Sequence, residues 1–490
     1  MKRLSLATLD SLPATCRRPG YDVRHAQVGV VHLGIGAFHR AHQAVYLDDR
    51  LSAGEAGWAI CGASLRSPDT ADALKPQDGL YTVAVRSGEG ENLRVVGAVR
   101  RVLVAPEDPQ ALLTVMTDPQ VRIVSLTVTE KGYCHDPATG ELKEDHPDIV
   151  ADLQSPHLPR SAPGFLVEAL TLRRLRGLQP FTVLCCDNLP ANGRTVARVV
   201  GRFASLRDPA LGRWVEDSVA FPSTMVDRIV PATTDADREA VSSALGVSDA
   251  WPVMTEPFTQ WVVEDRFTTG RPRIEEAGAE LVADVAPYEL MKLRLLNGSH
   301  STLAYLGYLS GYETVAEAMA DPALAQLVRG LMDVEVTPTL MVPSGADLAS
   351  YKDALIARFR NPALKHRTWQ IAMDGSQKLP QRLLGTIRDR LAVGAPIRRL
   401  SLAAAAWMRY VTGRDEQGRP IDVRDPMQAR LRAIADEAGP VAERLAPALM
   451  NVREIFGDLA SDPRFARPVT DALDSLFRLG ARETVKSFQG

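Results

Sequence analysis

The fold turns on Val28-Gly-Val-Val-His-Leu-Gly-Ile-Gly36 and the stretch after it, Ala37-Phe-His-Arg-Ala-His-Gln-Ala-Val-Tyr-Leu-Asp-Asp-Arg-Leu51. A short apolar run ends in two glycines one residue apart and passes directly into a helical pattern from about Phe38 to Leu51. Strand, G-x-G turn and helix is the order of a dinucleotide-binding unit. The first glycine permits a tight turn, the second lets the backbone approach a pyrophosphate, and the helix start supplies partial positive charge. Gly34, Ile35, Gly36, Ala37 and Phe38 are therefore candidate cofactor-binding residues. His39 stands where a third glycine is expected. The acid looked for after the second strand comes as Arg66-Ser-Pro-Asp69. Asp69 would accept ribose hydroxyls and favour NAD, whereas Arg66 would meet the 2′-phosphate of NADP, so the loop leaves both open.

Outward from this unit, residues 58–65 read as a second strand, and 121–128 and 181–186 as two more buried runs. Between the last two, residues 164–177 carry apolar side chains at helical spacing. Strands alternating with helices predict a parallel, doubly wound α/β sheet. Past about Ala286 the pattern changes to long Ala/Leu/Arg-rich segments at 302–330, 383–393, 398–411, 426–446 and 468–485, which predict a mostly α-helical region. The expected organisation is a dinucleotide-binding domain over 1–285 and a helical domain carrying substrate and catalytic residues over 286–490.

At 490 residues the chain is about three typical domain lengths. Its 57 Lys+Arg against 60 Asp+Glu leave a net charge of −3, without the basic excess of a nucleic-acid partner. A hydrophobic content of 45% argues against disorder. No run approaches the ~20 apolar residues that span a bilayer, and the N-terminal stretch has no apolar core of signal-peptide type. Five cysteines (Cys16, Cys61, Cys134, Cys185, Cys186) show no metal-ligand spacing, and adjacent Cys185 and Cys186 would face opposite sides of a strand. Buried free thiols and a reducing, cytoplasmic setting are expected. Only nine of the basic residues are lysines. Codon bias in a GC-rich genome accounts for that, but a lysine, unlike an arginine, can give up its proton near neutral pH.

One of the nine stands in Tyr288-Glu-Leu-Met-Lys-Leu-Arg-Leu-Leu-Asn-Gly-Ser-His300. On a straight α-helix at roughly 100° per residue, with Lys292 at zero, Glu289 falls near 60°, His300 near 80° and Asn297 near 140°. A carboxylate, an amine, an amide and an imidazole then share one side of a helix among leucines. Interconverting a secondary alcohol and a ketone with a nicotinamide needs a group to take or return the hydroxyl proton. A partly desolvated lysine suits that task, and asparagine N–H groups can stabilise a developing alkoxide. The Tyr288-x-x-x-Lys292 spacing also matches short-chain dehydrogenases. Those chains are about half this length and carry the pair inside the nucleotide domain, so the match is a coincidence.

Taken together, Gly34-Ile-Gly-Ala-Phe-His-Arg-Ala-His-Gln43, Ser125-Leu-Thr-Val-Thr-Glu-Lys-Gly-Tyr-Cys134, Cys186-Asp-Asn-Leu-Pro190, Met225-Val-Asp-Arg-Ile229 and Lys292-Leu-Arg-Leu-Leu-Asn-Gly-Ser-His300 resemble the polyol-specific long-chain dehydrogenases, the mannitol dehydrogenase family, over nearly the whole chain. The resemblance implies a Rossmann-type N-terminal domain, a helical C-terminal domain and metal-independent hydride transfer with NAD, NADP not being excluded. It implies Lys292 as general base, Asn188 and Asn297 as the pair binding the reacting oxygen, His300 as a substrate-orienting histidine and Glu289 as a proton relay. Glu130 joins the cofactor-binding residues, and Asp227 and Lys378 resemble substrate contacts. The family shares the missing third glycine.

Within the family, residues 366–382 and Lys131 resemble the fructuronate reductase branch, which acts on a sugar acid. Gln370 stands where mannitol enzymes carry an arginine. Lys131, Arg228, His366 and Arg367 are then candidate partners for a sugar-acid carboxylate. The expected partner is a small sugar acid, with mannitol, arabinitol or sorbitol as the alternative. A monomer or homodimer is expected, with no metal, nucleic acid or membrane. A non-catalytic nucleotide sensor is a remote alternative, since Lys292 and Asn297 are both retained.

Overall fold

The apolar run that opens the glycine turn forms strand β1 (Val28–Leu33), buried from Gly29 onward. The computed structural model describes residues 1–136, 139–343 and 346–488. These divide into two compact units, residues 1–286 and residues from 287 onward.

In chain order the remaining strands of the first unit are β2 (Ala59–Ser64), β3 (Tyr81–Ser87), β4 (Gly90–Val96), β5 (Val99–Val104), β6 (Ile123–Leu126), β7 (Thr182–Cys185), β8 (Thr224–Asp227), β9 (Val253–Thr255), β10 (Gln260–Glu264) and β11 (Glu280–Val282). Five of them make the central sheet, in the order β5-β2-β1-β6-β7. All four pairings are parallel. The chain runs outward from β1 through β2 to β5, then returns past β1 to add β6 and β7. The order of strands therefore reverses between β1 and β6, which is where open α/β sheets bind their ligands.

Side chains of a strand alternate between faces, and β1 divides its own accordingly. Val31 and Leu33 join one core with Cys61, Val124 and Cys185, while Val30 joins the other with Ile60, Ile123 and Cys186. Cys185 and Cys186 do lie in opposite cores, and all five cysteines are free and buried. Burial on both faces explains the unbroken apolar runs of the sheet.

The helical stretch after the glycine turn is two helices. Ala37–Ala41 ends at His42, whose φ of −119° and ψ of −94° break the helix before Gln43–Ser52 begins. Two smaller three-stranded sheets, β4-β3-β9 and β11-β10-β8, complete the unit.

The second unit is helical, built around Gly298–Leu309, Arg398–Val411 and Pro463–Ser487. Trp407, fully buried, packs against Phe456, which in turn meets Phe465. Among the described residues, three of its helices open into π turns, at Lys292–Asn297, Leu331–Val336 and Pro380–Leu384. The first packs against both others. Among the described residues no helix is long and apolar enough to cross a membrane.

Candidate active site

At the carboxyl ends of β1, β2, β5 and β6 the first unit holds a cavity of about 780 Å³, the size of a small-molecule cleft. Gly34, Ile35 and Gly36 form its floor, and Arg66 and Ser67 line it after β2. Gly34 has φ +93°, and a Cβ there would run into the carbonyl of Thr127. Only glycine fits this turn. A Cβ on Gly36 would meet nothing closer than 3.9 Å, so a ligand can approach the backbone. A tight left-handed turn, an open second glycine and a roomy cavity at the switch point fit a dinucleotide.

Asp69 is not among the described residues lining this cavity. It opens the helix Asp69–Leu74, and its carboxylate accepts from the Ser67 hydroxyl at 3.0 Å. Ala37 and Phe38 begin the helix after the turn, with the Phe38 ring stacked on His42 at 5.1 Å. His39 is fully buried and stacks on His32 with ring centroids 3.4 Å apart. The His32 ring is fixed by Ser125 and Thr127 hydroxyls, both at 2.8 Å. An imidazole pair thus occupies the space that a third glycine would leave to close helix packing.

Glu130 and Lys131 lie on the turn Glu130–Tyr133, both exposed, and Lys131 lines the nucleotide cavity. The turn begins at Thr129 with φ +66°, strained for a β-branched residue. Asp187 holds it there, accepting from Val128 N at 2.9 Å, Thr129 N at 3.1 Å and Tyr133 Oη at 2.7 Å. Burial raises the pKa of that carboxyl. Asp187 received no role from the sequence, although it adjoins Asn188. An acid beside an expected active-site amide was the available signal. Asn188 itself is exposed in the loop after β7.

Asp227, 4% exposed, ends β8 opposite Gln260. The guanidinium of its neighbour Arg228 donates to the carbonyls of Glu256, at 2.9 and 3.2 Å, and of Ala41. Its donors are directed at backbone.

In the second unit the helix Ala286–Met291 carries Glu289, half-buried, into the π turn Lys292–Asn297. Lys292 is 8% exposed, Asn297 is half-buried and His300 is buried. The expected straight α-helix is corrected here. It would set Lys292 and Asn297 about 140° apart, whereas the i→i+5 spacing of a π turn swings residues five apart toward one face. The wider turn thus narrows the angle between the amine and amide positions.

Gly298 follows at once, and a Cβ there would lie 2.9 Å from the carbonyl of Arg382 on the third π turn. His300 packs against the Phe359 ring at 4.6 Å and meets His366 edge-on at 5.1 Å. Its Nε2 and the Nδ1 of His366 are buried without a hydrogen-bond partner among the described residues. Burial, then His366, Arg358, Arg382 and Lys292, hold the His300 pKa well below the ordinary value. The ring is neutral, with a nitrogen available to a ligand.

Residues 28–276 match the family described as Mannitol dehydrogenase Rossmann domain, and residues 284–477 match Mannitol dehydrogenase C-terminal domain. The chain belongs to the mannitol dehydrogenase family. Among its relatives, the D-mannonate oxidoreductase of Escherichia coli (strain K12) is 49% identical over 96% of this chain and 97% of its own. A mannitol 2-dehydrogenase of Aspergillus terreus (strain NIH 2624 / FGSC A1156) is 43% identical over 94% of this chain and 93% of its own. The structure of the Pseudomonas fluorescens mannitol 2-dehydrogenase, a ternary complex with NAD and D-mannitol, superposes with a TM-score of 0.89 at 40% identity, covering 99% of both chains.

As a mannitol dehydrogenase family member the chain is an oxidoreductase acting on secondary alcohols. Its remaining candidate substrate residues are placed unevenly. Lys378 is half-buried, its ammonium donating to the carbonyls of Met373 at 2.6 Å and Ile371 at 3.4 Å. Arg367 is exposed and ion-paired with Glu313. His366, edge-on to His300, is the carboxylate candidate that the structure brings to the helix following the Lys292–Asn297 turn. Cys134, His146 and Asp148 bring three metal-type donor atoms within 4.8 Å of one another. The His146 ring caps a helix by accepting from Asp148 N at 3.2 Å, and burial pushes the Cys134 thiol up to about 12. A helix cap and a buried protonated thiol account for this group.

Proposed function

We propose that the protein is an NAD-dependent dehydrogenase that interconverts D-mannonate and D-fructuronate. The observation that carries the reaction class is buried Lys292 on the same π turn as Asn297, with His300 following. Lys292, as free amine, takes the proton of the substrate hydroxyl as the alcohol becomes a ketone, and returns it in the reverse direction. The N–H groups of Asn297 donate to the reacting oxygen as it gains negative charge, a role that the family resemblance also gives to Asn188. His300 orients a neighbouring hydroxyl through its open Nε2, and Glu289 passes the proton from Lys292 toward solvent. Asp227 and Lys378 hold further hydroxyls.

Gly34, Ile35, Gly36, Ala37 and Phe38 would hold the dinucleotide, with Arg66 and Lys131 on the cavity wall; Asp69 and Glu130, proposed from the sequence, lie outside that wall. When bound, NAD accepts or supplies the hydride. Proton transfer by Lys292 and amide stabilisation supply the remaining needs of the reaction without a metal. The five buried free thiols suit a reducing cytoplasm.

For the substrate, the support is identity of 49% to the D-mannonate oxidoreductase against 43% to the mannitol 2-dehydrogenase, together with Gln370 and His366. The second reading, a polyol dehydrogenase, is favoured by the likeness to a structure that holds D-mannitol. Initial rates on D-mannonate, D-mannitol, D-arabinitol and D-sorbitol with NAD and with NADP decide between them. Turnover of D-mannonate with NAD is the expected result. Rapid turnover of a polyol without turnover of D-mannonate would overturn it.

A further inference from the structure

Two of the residues lining the nucleotide cavity, Cys134 and Asp148, belong to a second cluster. With His146 they bring a thiol, an imidazole nitrogen and a carboxylate oxygen within 4.8 Å of one another. The Nδ1 of His146 and the Oδ2 of Asp148 are 3.9 Å apart. We propose that these three side chains bind a divalent cation of zinc type on the cavity wall, and that the bound ion opposes the dinucleotide.

Thiolate, imidazole and carboxylate together suit borderline-soft zinc, whereas magnesium and calcium take oxygen ligands. Three such ligands with water in the fourth position make a tetrahedral centre, its donor atoms about 3.3–3.6 Å apart at the usual bond lengths. The cluster must therefore contract by roughly 1 Å. Rotation of the partly exposed His146 and Asp148 side chains supplies that movement.

Both segments that carry the ligands are anchored. Asp187 holds the turn that ends at Cys134. The helix Pro147–Gln154, which His146 caps, is tied down by buried Asp152. That carboxylate accepts from Arg160 N at 2.8 Å and from Ser161 N and Oγ at 3.0 and 2.6 Å. The cap also selects the tautomer. Accepting from Asp148 N leaves the lone pair on Nδ1 and the proton on Nε2, which is the form that a metal takes. The field of Asp148 and Asp152 at the sulfur favours a cation, with Arg66 opposing it.

Zinc replaces the Cys134 proton, which leaves to solvent, and takes over the Nδ1 lone pair, while the freed Asp148 N–H turns to water. The helix cap and the thiol proton that account for the group in the ion-free chain are thus both replaceable. Because Cys134 and Asp148 line the volume that a dinucleotide would fill, the hydrated ion and the dinucleotide compete for it. By linkage each weakens the other by the same factor. The site takes no part in the proton transfer assigned to Lys292, and it does not depend on which alcohol is oxidised.

The wild-type enzyme, Cys134→Ser and His146→Asn are each titrated with zinc against a chelating indicator, and with cobalt as a spectroscopic probe. Asparagine is itself a good N-cap, so His146→Asn keeps the helix while losing the imidazole. The wild type is expected to bind zinc stoichiometrically and to show a thiolate-to-cobalt charge-transfer band. Cys134→Ser should lose the band, and both variants should bind zinc at least tenfold more weakly. Rates are measured on whichever of D-mannonate or the polyols the wild type oxidises. Without zinc, His146→Asn should turn over as wild type does; with zinc, only the wild type should be inhibited, and added NAD should relieve it. No charge-transfer band in the wild type, or wild-type zinc affinity in either variant, overturns the site. Inhibition that persists in His146→Asn, or that NAD does not relieve, overturns the competition. Zinc binding is read without substrate, so its failure leaves the dehydrogenase reading untouched.

Discussion

His32 and His39 stack face to face in the interior of the nucleotide-binding unit, 3.4 Å between ring centroids and 12° between planes, with neither residue exposed. Burial lowers the pKa of His32 to about 3 and holds that of His39 well below its ordinary value. Both rings are neutral in the folded protein. Below pH ~6.5 the unfolded chain binds protons that the folded chain refuses, so stability falls as pH drops from there toward about 3. The slope is roughly 1.4 kcal/mol per pH unit for each histidine. Thermal midpoints measured between pH 7 and pH 4.5 should decline less steeply in His32→Gln/His39→Gln than in wild type. Identical slopes would show that other groups govern acid sensitivity.

Gly34→Ala places a methyl group against the Thr127 carbonyl and forces a side chain to φ +93°. The strain is about 1–3 kcal/mol before the clash is counted, and it falls on the floor of the nucleotide cavity. NAD affinity, followed by fluorescence titration, should drop at least tenfold. Wild-type affinity in this variant would mean that the dinucleotide does not use the turn.

Gly298→Ala tests the contact between two π turns. Alanine favours a helix over glycine by about 1 kcal/mol, but the new Cβ lies 2.9 Å from the Arg382 carbonyl, and backbone must move. The two effects nearly cancel in stability, so Tm should stay within about 4 °C of wild type. They do not cancel in geometry, and kcat should fall at least tenfold because Lys292 and Asn297 sit on the displaced turn. Full activity would show that the turn tolerates the shift.

Lys292→Ala should reduce kcat by a factor of about 10² to 10⁴, the usual worth of a positioned general base. Lys292→Arg should not restore it, since a guanidinium keeps its proton at any working pH. An active arginine variant would leave Lys292 with an electrostatic role and no proton to carry.

Much of this was legible in the chain. Strand β1, the G-x-G turn and the alternation of buried runs with helices follow from apolar spacing, because a sheet covered on both faces needs continuous hydrophobic strands. Cys185 and Cys186 point to opposite cores because strand geometry leaves no other choice. The hairpin β3–β4 and the sheet around β10 are not legible in the sequence, since Gly88 to Val96 carries too little apolar patterning to separate a half-exposed strand from a loop. The phase of the helix around Lys292 is hidden in the sequence for another reason. No residue type marks a π turn, which is set by packing against neighbouring turns.

The π turn at Lys292–Asn297 is in effect a helix holding one residue more than its hydrogen-bond ladder needs. Substitutions leave that surplus in place, but deletion of a single residue between Met291 and Gly298 would let the ladder close as an ordinary α-helix. Everything downstream would then rotate by about 100°, carrying His300 away from Phe359 and Gly298 away from Arg382. The arrangement of Lys292, Asn297 and His300 is therefore encoded in the count of residues as much as in their identity. Insertions and deletions, more than point mutations, are the changes to which this enzyme has no graded response.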